Sequence, residues 1–499
     1  MLWIVAAVGS RTAVLHRLVV DTLSQRLASE VELASFRVST FPRVQVYGTG
    51  LVVRLKGAED VPPLISIRSF VIEGGLLGML GRTREFSSVT LDGLQISIPP
   101  GGARMPEGWQ GARASEAGAP SPIRIHRLYA NDALLRLIPR KAGKEPREFA
   151  IHRLEMEEIG AEPSMPFRAE LTNPVPVGLI RTEGRFGPWN RETPGETALE
   201  GTYTFTDADL STIEGIGGTL RSTGEFGGKL AHIEVRGTTE TPDFHLAHAG
   251  SRMPLTTRFE AVVDGTDGDT YLNAVEAQLQ RSAIQAKGAI AGIPGGKGRR
   301  VQLKVSIAEG QIEDLLQLSV KGERPLLRGR VALRTDFDLP PGRGDVVDRL
   351  RLRGQFDLSS AQFTNAEVSE KIAGMSARAR GDDPDEAPDS VLTDLEGRFT
   401  LGGGTITLTD LRFRIPGAMV QMAGTYGLRS EEIEFDGTLR MQATISEAAN
   451  VGGVRGFLLK AVDPLFRRKG AGAVLPIKVR GTRNEPKFGL DVVKAITPR

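Results

Sequence analysis

The chain has 499 residues, of which 40% are hydrophobic and 25% are charged. Its 63 Lys and Arg residues nearly balance its 61 Asp and Glu residues, so a net charge of +2 gives no electrostatic basis for binding nucleic acid. Cys is absent, which excludes disulfides, thiol catalysis and cysteine metal sites and suits an oxidising compartment. The length exceeds that of one compact domain unless the fold is extended or repetitive.

The N-terminal region is predicted to be a membrane-proximal helical domain over residues 1–28. Residues 2–8 are apolar, but so short a stretch cannot cross about 30 Å of hydrocarbon, which takes roughly 20 helical residues. We interpret it as the end of a membrane anchor truncated at the start of this sequence, with a buried helix start and a weak signal peptide as alternatives. Apolar residues then recur at helical spacing and predict an amphipathic helix over 11–28.

The period of the apolar residues changes to two after residue 28, which predicts β-strands. We assign 29–100 to an N-terminal β-groove segment, with a hairpin turning at residues 48–50. Residues 101–122 are rich in Gly, Ala, Pro and Ser and are assigned to a flexible loop. A repetitive β-groove follows over 123–445, with a hairpin turn at Asn131-Asp132. Residues 446–499 are predicted to form a C-terminal helix and a closing strand.

Two short phrases occur twice. Residues 89–99 align with residues 406–416, and each copy ends in proline, which cannot donate to a strand ladder. Residues 235–244 share the pattern Val-Arg-Gly-Thr, then Pro and Phe, with residues 479–488. A repeated β-phrase indicates a long sheet built from similar units.

The apolar alternation slips by one residue inside the first phrase, at Asp92-Gly93 in one copy and at Thr409-Asp410 in the other. Such a slip turns the following side chains to the opposite face unless a bulge or bend absorbs the extra residue. We therefore predict a bulge or sharp bend at both sites, which would curve the sheet into a trough.

Seven strands in the middle of the chain open on glycine, which we interpret as turn exits or kinks that let a wide sheet curve. These glycines are Gly184, Gly201, Gly329, Gly354, Gly397, Gly424 and Gly437. Short helices are predicted at 310–319 and 366–376. The predicted fold is mainly β: a long, curved, repetitive antiparallel sheet forming an elongated groove, with an N-terminal amphipathic helix and a C-terminal helix.

The sequence contains no convincing constellation for catalysis, so no enzyme activity, cofactor or metal site is predicted. His245 and His248 would point to opposite faces of a strand and lack a third ligand nearby. Residues 402–404 are all glycine but are not followed by the Lys-Ser/Thr of a phosphate-binding loop. The acidic residues 382–386 are interpreted as an exposed loop.

A long sheet with one apolar face either buries that face as core or leaves it in an open trough. An open trough exposes more apolar surface than a soluble monomer tolerates, so it should hold a ligand, and lipid acyl chains fit such a surface. The alternative for each groove candidate is that its side chain is buried in a closed core. The groove candidates on the alternating strands are Val44, Val46, Leu94, Ile96, Ile98, Leu408, Leu411 and Phe413.

The pattern of apolar residues and glycines resembles that of the AsmA-like family of bacterial envelope proteins. The resemblance rests on residues 32–38 and 46–53 near the start, and on Gly424-Thr425-Tyr426, Asp463-Pro464 and Gly481-Thr482 near the end. It implies a periplasmic protein anchored at the inner membrane and similar to bridge-like lipid transfer proteins, with phospholipid, the inner membrane and outer-membrane or periplasmic proteins as partners. This chain departs from the family in lacking a full anchor and in being short. Its predicted 20 to 25 strands would stack to roughly 100 Å.

An assembly scaffold for outer-membrane proteins, which would use strand edges without carrying lipid, is the alternative function. A continuous apolar face favours lipid, whereas a filled core with exposed polar edges favours the scaffold. A polysaccharide-binding β-structure would need exposed aromatic residues, and the 3 Trp and 5 Tyr residues argue against it.

Overall fold

The computed structural model describes residues 20, 24, 29–39, 44–55, 63–75, 84–98, 123–137, 147–160, 163–190, 193–247, 249–293, 298–320, 325, 327–364, 366–380, 392–442, 474–482 and 485–490. The predictions for residues 101–122, for the acidic residues 382–386 and for the C-terminal helix lie outside these residues. Of the predicted N-terminal helix, only Val20 and Ser24 are described, and both are helical.

The described part of the chain is mainly β, and its strands form one mixed sheet of 25 strands. The first twelve strands are β1 (Ser29–Ser39), β2 (Val44–Leu55), β3 (Ile65–Gly74), β4 (Arg84–Asp92), β5 (Gln95–Ile98), β6 (Ile123–Leu137), β7 (Arg147–Ile159), β8 (Met165–Pro174), β9 (Val177–Phe186), β10 (Ala198–Asp209), β11 (Ile216–Gly217) and β12 (Thr219–Lys229).

The remaining strands continue in chain order and are interrupted by helices at three places. The strands are β13 (His232–Leu246), β14 (Met253–Val263), β15 (Thr270–Leu279), β16 (Ser282–Gly292), β17 (Arg299–Gln311), β18 (Leu327–Leu339), β19 (Arg351–Phe363), β20 (Thr393–Gly402), β21 (Thr405–Ile415), β22 (Ala418–Gly427), β23 (Glu432–Met441), β24 (Val474–Thr482) and β25 (Pro486–Leu490). The helices are α1 (Ile312–Ser319), α2 (Val346–Arg349) and α3 (Ala366–Arg380). The short helices predicted at 310–319 and 366–376 are confirmed as α1 and α3.

The chain divides into two compact units. The first unit comprises residues 1–213, 219–239 and 260–270, and the second comprises 214–218, 240–259 and 271–499. Within each unit, strands adjacent in sequence mostly pair as antiparallel neighbours. Examples are β8 with β9 in the first unit and β18 with β19 in the second.

The prediction of a purely antiparallel sheet is wrong, because β6 pairs in parallel with both β4 and β5. A parallel pair needs a crossover connection of a dozen or more residues, and residues 99–122 supply one between β5 and β6. The low-complexity stretch that the sequence marks as a loop is thus also long enough to reverse the direction of pairing.

Two predicted hairpin turns are also wrong. β2 continues through Gly48 and Gly50, and the ring of Phe70 on β3 occupies the space that a side chain at Gly48 would need. β6 likewise continues through Asn131 and Asp132, although Asp132 has a φ of 50°. Glycine and Asn-Asp therefore mark close approach and local irregularity inside long strands, not chain reversals.

The predicted bulge in β21 is confirmed. Leu408 pairs with Gly424 of β22, but Leu411 pairs with Met422, so β21 carries one extra residue at Thr409-Asp410. At the other copy of the phrase, β4 ends at Asp92, and Gly93 has a φ of 64° before the chain enters β5. The two copies thus accommodate the same change of parity differently. The copy in β21 has a bulge, and the copy at residues 89–98 has a break between β4 and β5.

The seven glycines interpreted as turn exits or kinks all lie inside strands, so none of them is a turn exit. Gly424 pairs with Phe435, and Gly437 pairs with Met422. The second repeated phrase also differs between its copies. Residues 235–244 lie within the single strand β13, whereas residues 479–488 run from β24 through a turn into β25.

Candidate functional site

The strands of both units have one polar and one apolar face. In β19, Arg353 and Gln355 are exposed. The residues that alternate with them, Leu352, Gly354 and Phe356, are half-buried. This alternation follows from the period of two in an extended strand. The apolar side chains in the middle of β19 are therefore neither fully exposed nor sealed in a core.

Cross-strand pairing aligns the apolar residues of the second unit into two rows. Residues that pair across strands share a face, so each chain of pairings traces one row. Row A comprises Ala286, Val305, Thr335, Gly354, Phe399, Leu408, Gly424, Phe435 and Val479. Row B comprises Gly288, Leu303, Phe337, Leu352, Leu401, Ile406, Tyr426, Ile433 and Gly481.

Rows A and B run side by side across β16 to β24 without a charged residue. Neighbouring strands lie about 4.8 Å apart, so each row extends for roughly 38 Å across these strands. The two rows are two residues apart along each strand, which separates them by about 6.8 Å. The bulge at Thr409-Asp410 keeps Leu408 and Leu411 on one face, because the extra residue offsets the slip in the sequence.

Among the described residues of the second unit, α1 and α3 pack on the apolar face at one end of the strands. α1 packs through Ile312 and Leu315 against Val331 and Leu358. α3 packs near Phe413, which is 9% exposed and forms an edge-to-face pair with Phe363. Neither of these two buried clusters includes a residue of row A or row B. The rows therefore lie beside the helix-covered core, and most of their residues are half-exposed.

Glycine and phenylalanine alternate between two neighbouring strands in the middle of row A. Gly354 pairs with Phe399, and Phe356 pairs with Gly397. A Cβ at Gly354 would lie 2.9 Å from Phe399 Cε1, so the ring covers the glycine. The two rings are 6.4 Å apart and tilted by 45°. The absence of a side chain on one strand thus lets the ring of the next lie close to the backbone.

The first unit contains a second pair of rows, also without charged residues. Row C comprises Phe36, Gly48, Phe70, Leu91, Ala130, Leu154, Ala169, Thr182, Tyr203 and Gly224. Row D comprises Val38, Val46, Ile72, Val89, Leu128, Met156, Phe167, Gly184, Gly201 and Phe226.

The two halves of rows C and D differ in their packing. Their first halves belong to or pack against a buried cluster that includes Leu33, Ile67 and Leu94. From β8 onwards, the row residues are half-exposed and lie outside this cluster. The strands β8 to β10 and β12 therefore present a half-exposed apolar face outside the buried cluster of the first unit.

Tyr203 is the one ionisable side chain in rows C and D. Burial raises the pKa of Tyr203. The phenol oxygen shares a 3.1 Å hydrogen bond with Ser222 Oγ, and this bond opposes the rise in pKa. Ser222 Oγ donates in turn to the Thr238 carbonyl oxygen at 2.9 Å. Tyr203 stays neutral well beyond neutral pH, so the row carries no charge there.

The groove candidates in the first unit lie near one another but differ in burial. Val44 and Leu94 are each 8% exposed and are core residues. Val46 belongs to row D, and both Val46 and Ile96 pack against the cluster that contains Leu94. Ile98 pairs with Leu137 across the parallel β5–β6 ladder.

The groove candidates in the second unit share strand β21. Leu408 belongs to row A, and Leu411 follows the bulge on the same face. Phe413 lies under α3 in the buried cluster. Sequence reasoning missed the small members of the rows, such as Thr335 and Gly424, because they have no apolar side chain to mark them. Glycine recurs two residues before an aromatic residue in several strands, as in Gly354-Gln355-Phe356. This pattern is the signal that could have identified the glycine members of the rows.

Groups of three or more metal-ligating side chains are absent from the described residues, as are helices long and apolar enough to cross a membrane. Comparison of the sequence with protein-family models and with curated proteins, and of the structure with solved structures, found no match.

Proposed function

We propose that the protein carries phospholipid along its apolar rows, as a non-enzymatic component of a bacterial cell envelope. The resemblance of the sequence to the AsmA-like family supports a location in the periplasm at the inner membrane. In this proposal the acyl chains lie on the apolar rows and the headgroups face water. Transfer between the inner and outer membranes then requires no catalytic residue.

The observation that carries the proposal is the continuity of rows A and B. Nine consecutive strands contribute an uncharged residue to each row, and the helix-covered core lies beside the rows. Each CH₂ group removed from water contributes about 0.8 kcal/mol, so an acyl chain gains several kcal/mol on such a surface. Because this gain is not directional, a chain can slide from one strand to the next without losing it.

Lipid binding is best tested at two row B residues, Leu303 on β17 and Leu352 on β19. Aspartate at both positions places charges where an acyl chain would lie, which is costly without a partner. We expect Leu303→Asp/Leu352→Asp to lower the phospholipid that co-purifies with the detergent-extracted protein by about tenfold, since 1.4 kcal/mol suffices for that factor. Mass spectrometry of extracted lipid measures the ratio of phospholipid to protein.

The matched control is Gln302→Asp/Gln355→Asp, which adds the same charges to the polar face of the same two strands. This control should retain the bound lipid, and circular dichroism should show both variants folded. Absence of phospholipid from the unaltered protein, or equal loss in both variants, would remove the basis for lipid carriage.

The scaffold alternative rests on the strands at the ends of the ladder. Among the described residues, β1 pairs with β2 alone and β25 with β24 alone, so these are the end strands of the described ladder, where a strand from another protein would add. This function predicts that the protein captures a β-strand peptide while carrying no lipid. The lipid measurement therefore separates the two functions.

A further inference from the structure

A groove of about 850 Å³ lies across β15 to β21 of the second unit. Its lining combines polar side chains with the row A residues Ala286, Val305, Thr335, Gly354 and Phe399. Five successive strands, β16 to β20, each contribute one cation to its lining. These cations are Lys287, Lys304, Arg334, Arg353 and Arg398. Against them stand two carboxylates, Glu276 and Asp336, so the lining carries three more positive than negative charges.

The five cations lack partners within the described protein. All five are exposed, and none forms an ion pair or a side-chain hydrogen bond with another described residue. Lys287 pairs directly with Lys304 across β16 and β17, and like charges at such positions destabilise a sheet. Asp336 stands opposite both Lys304 and Arg353 but is not within ion-pair distance of either. The Lys287–Lys304 pair thus costs stability in the isolated protein, and an anionic ligand would offset that cost.

Some cations outside the groove lining are neutralised by carboxylates. Arg300, also on β17, binds Asp338 through two hydrogen bonds of 2.6 and 2.7 Å. Those bonds from Arg300 hold the pKa of Asp338 below its usual value. In the first unit, Arg181 binds Glu170 at 2.8 Å. Exposed cations without an ion pair also occur outside the groove, as at Arg328 and Arg330 of β18. The groove differs in that five successive strands each place one such cation in its lining.

The spacing of the cations suits one extended chain. They lie in two rows, with Arg334 and Arg398 on one side and Lys287, Lys304 and Arg353 on the other. The rows are two residues apart along each strand, or about 6.8 Å, which leaves the width of a single chain. One cation recurs with each strand, at intervals of about 4.8 Å.

The neutral and acidic side chains of the groove favour a peptide over a phosphate polymer. Gln285 and Gln355 both donate and accept hydrogen bonds, which suits the N–H and C=O groups of a peptide backbone. Asp336 and Glu276 accept hydrogen bonds from N–H donors, which a peptide backbone supplies and a phosphate polymer does not. Side chains of arginine form paired hydrogen bonds with carboxylates.

We propose that this groove binds an extended acidic segment of a partner protein. The segment lies across β16 to β20, with its carboxylates on the five cations and its backbone on the glutamine side chains. The five cations alternate with row A along their strands, so the carboxylates of the segment contact side chains other than those that hold lipid in the proposed function. Its partner gives the second unit a docking point.

The test uses the full chain and a fluorescent ten-residue peptide of alternating glutamate and serine, with the glutamine–serine peptide as neutral probe. We expect the acidic peptide to bind, the neutral one not to bind, and added salt to weaken the complex. Lys304→Gln/Arg353→Gln should raise the Kd about fivefold, as expected for two exposed ion pairs. Fluorescence anisotropy measures each Kd.

The control Arg328→Gln/Arg330→Gln removes the same charge from exposed positions of β18 outside the groove lining. It should leave the Kd within about twofold of the parent value. An equal loss in this control would show diffuse attraction and overturn the proposal. The proposal would also be overturned if inorganic polyphosphate or anionic lipid vesicles bound more tightly than the peptide and Lys304→Gln/Arg353→Gln lost that binding. The groove would then belong to a different ligand.

Discussion

At the scale of single residues, Asp314 shows how a helix is joined to the sheet. Its carboxylate is 2% exposed and accepts three hydrogen bonds. Oδ2 accepts from Ser282 Oγ at 2.9 Å and from the Arg281 backbone N–H at 3.1 Å, and Oδ1 accepts from Arg281 Nη2 at 3.0 Å. Ser282 Oγ also accepts from the backbone N–H of Gln311 at 2.9 Å. This network attaches the start of α1 to β16.

Replacing Asp314 tests the strength of that attachment. Asp314→Ala removes the acceptor of the part-buried Arg281 N–H and leaves the buried Ser282 hydroxyl only the Gln311 carbonyl oxygen at 3.4 Å, which costs about 2–4 kcal/mol. Asp314→Asn keeps one oxygen acceptor and should cost less. Urea unfolding followed by circular dichroism measures the change, with the exposed Glu309→Ala as control. A similar midpoint for Asp314→Ala and the control would contradict the role assigned to the network.

At the scale of elements, the bulge in β21 decides which side chains join the apolar face. Two residues of β21, Thr409 and Asp410, lie opposite the single residue Ala423 of β22. Leu408 and Leu411 consequently stay on one face although their positions differ in parity. In a regular strand the same sequence would send everything after the slip to the polar face.

Deletion of Asp410 is therefore expected to be tolerated. The shortened strand regains a strict period of two with Leu408, Leu411 and Phe413 on the apolar face. It loses a 3.3 Å contact with Arg412 and a 3.5 Å hydrogen bond from Gln421, both exposed, which contribute little. Deletion of Thr407, two residues before the bulge, leaves the bulge in place. It turns the side chains on one side of the deletion to the opposite face of the sheet. Exposing two large apolar side chains then costs about 3–6 kcal/mol.

Thermal unfolding of the two deletions provides the measurement. We expect an apparent melting temperature near the parent value without Asp410 and a much lower one, or insoluble protein, without Thr407. Equal behaviour of the two deletions would mean that the bulge does not set the phase of the strand.

At the scale of the whole molecule, local patterns in the sequence predicted the strands better than their pairing. The period of two identified the apolar faces, and the parity slip identified the bulge at Thr409-Asp410. Parallel pairing of β4 with β6 was not predictable, because pairing direction depends on contacts between distant segments.

Burial was equally hidden in the sequence. Leu408 and Phe413 lie five residues apart on one strand with similar apolar character, yet α3 covers only Phe413. Which part of an apolar face a helix covers depends on tertiary packing, so the open rows and the closed core have the same local signature. For the same reason, small row members such as Thr335 and Gly424 were not predicted.

The presence of separate rows in each unit leads to a prediction about lipid stoichiometry. Phe167 and Phe226 belong to the half-exposed part of row D in the first unit. We expect Phe167→Asp/Phe226→Asp to remove only the share of phospholipid held by that unit, because rows A and B of the second unit are unchanged. Combining these substitutions with Leu303→Asp/Leu352→Asp should remove nearly all of it, since distant sites act additively.

Native mass spectrometry counts the lipids bound to each variant. Thr202→Asp/Thr223→Asp, on the polar face of β10 and β12, serves as the control and should match the parent. If the two units bind lipid separately, each single-unit variant keeps the lipid held by the rows of its unaltered unit. Complete loss of lipid from either single-unit variant would therefore contradict separate binding.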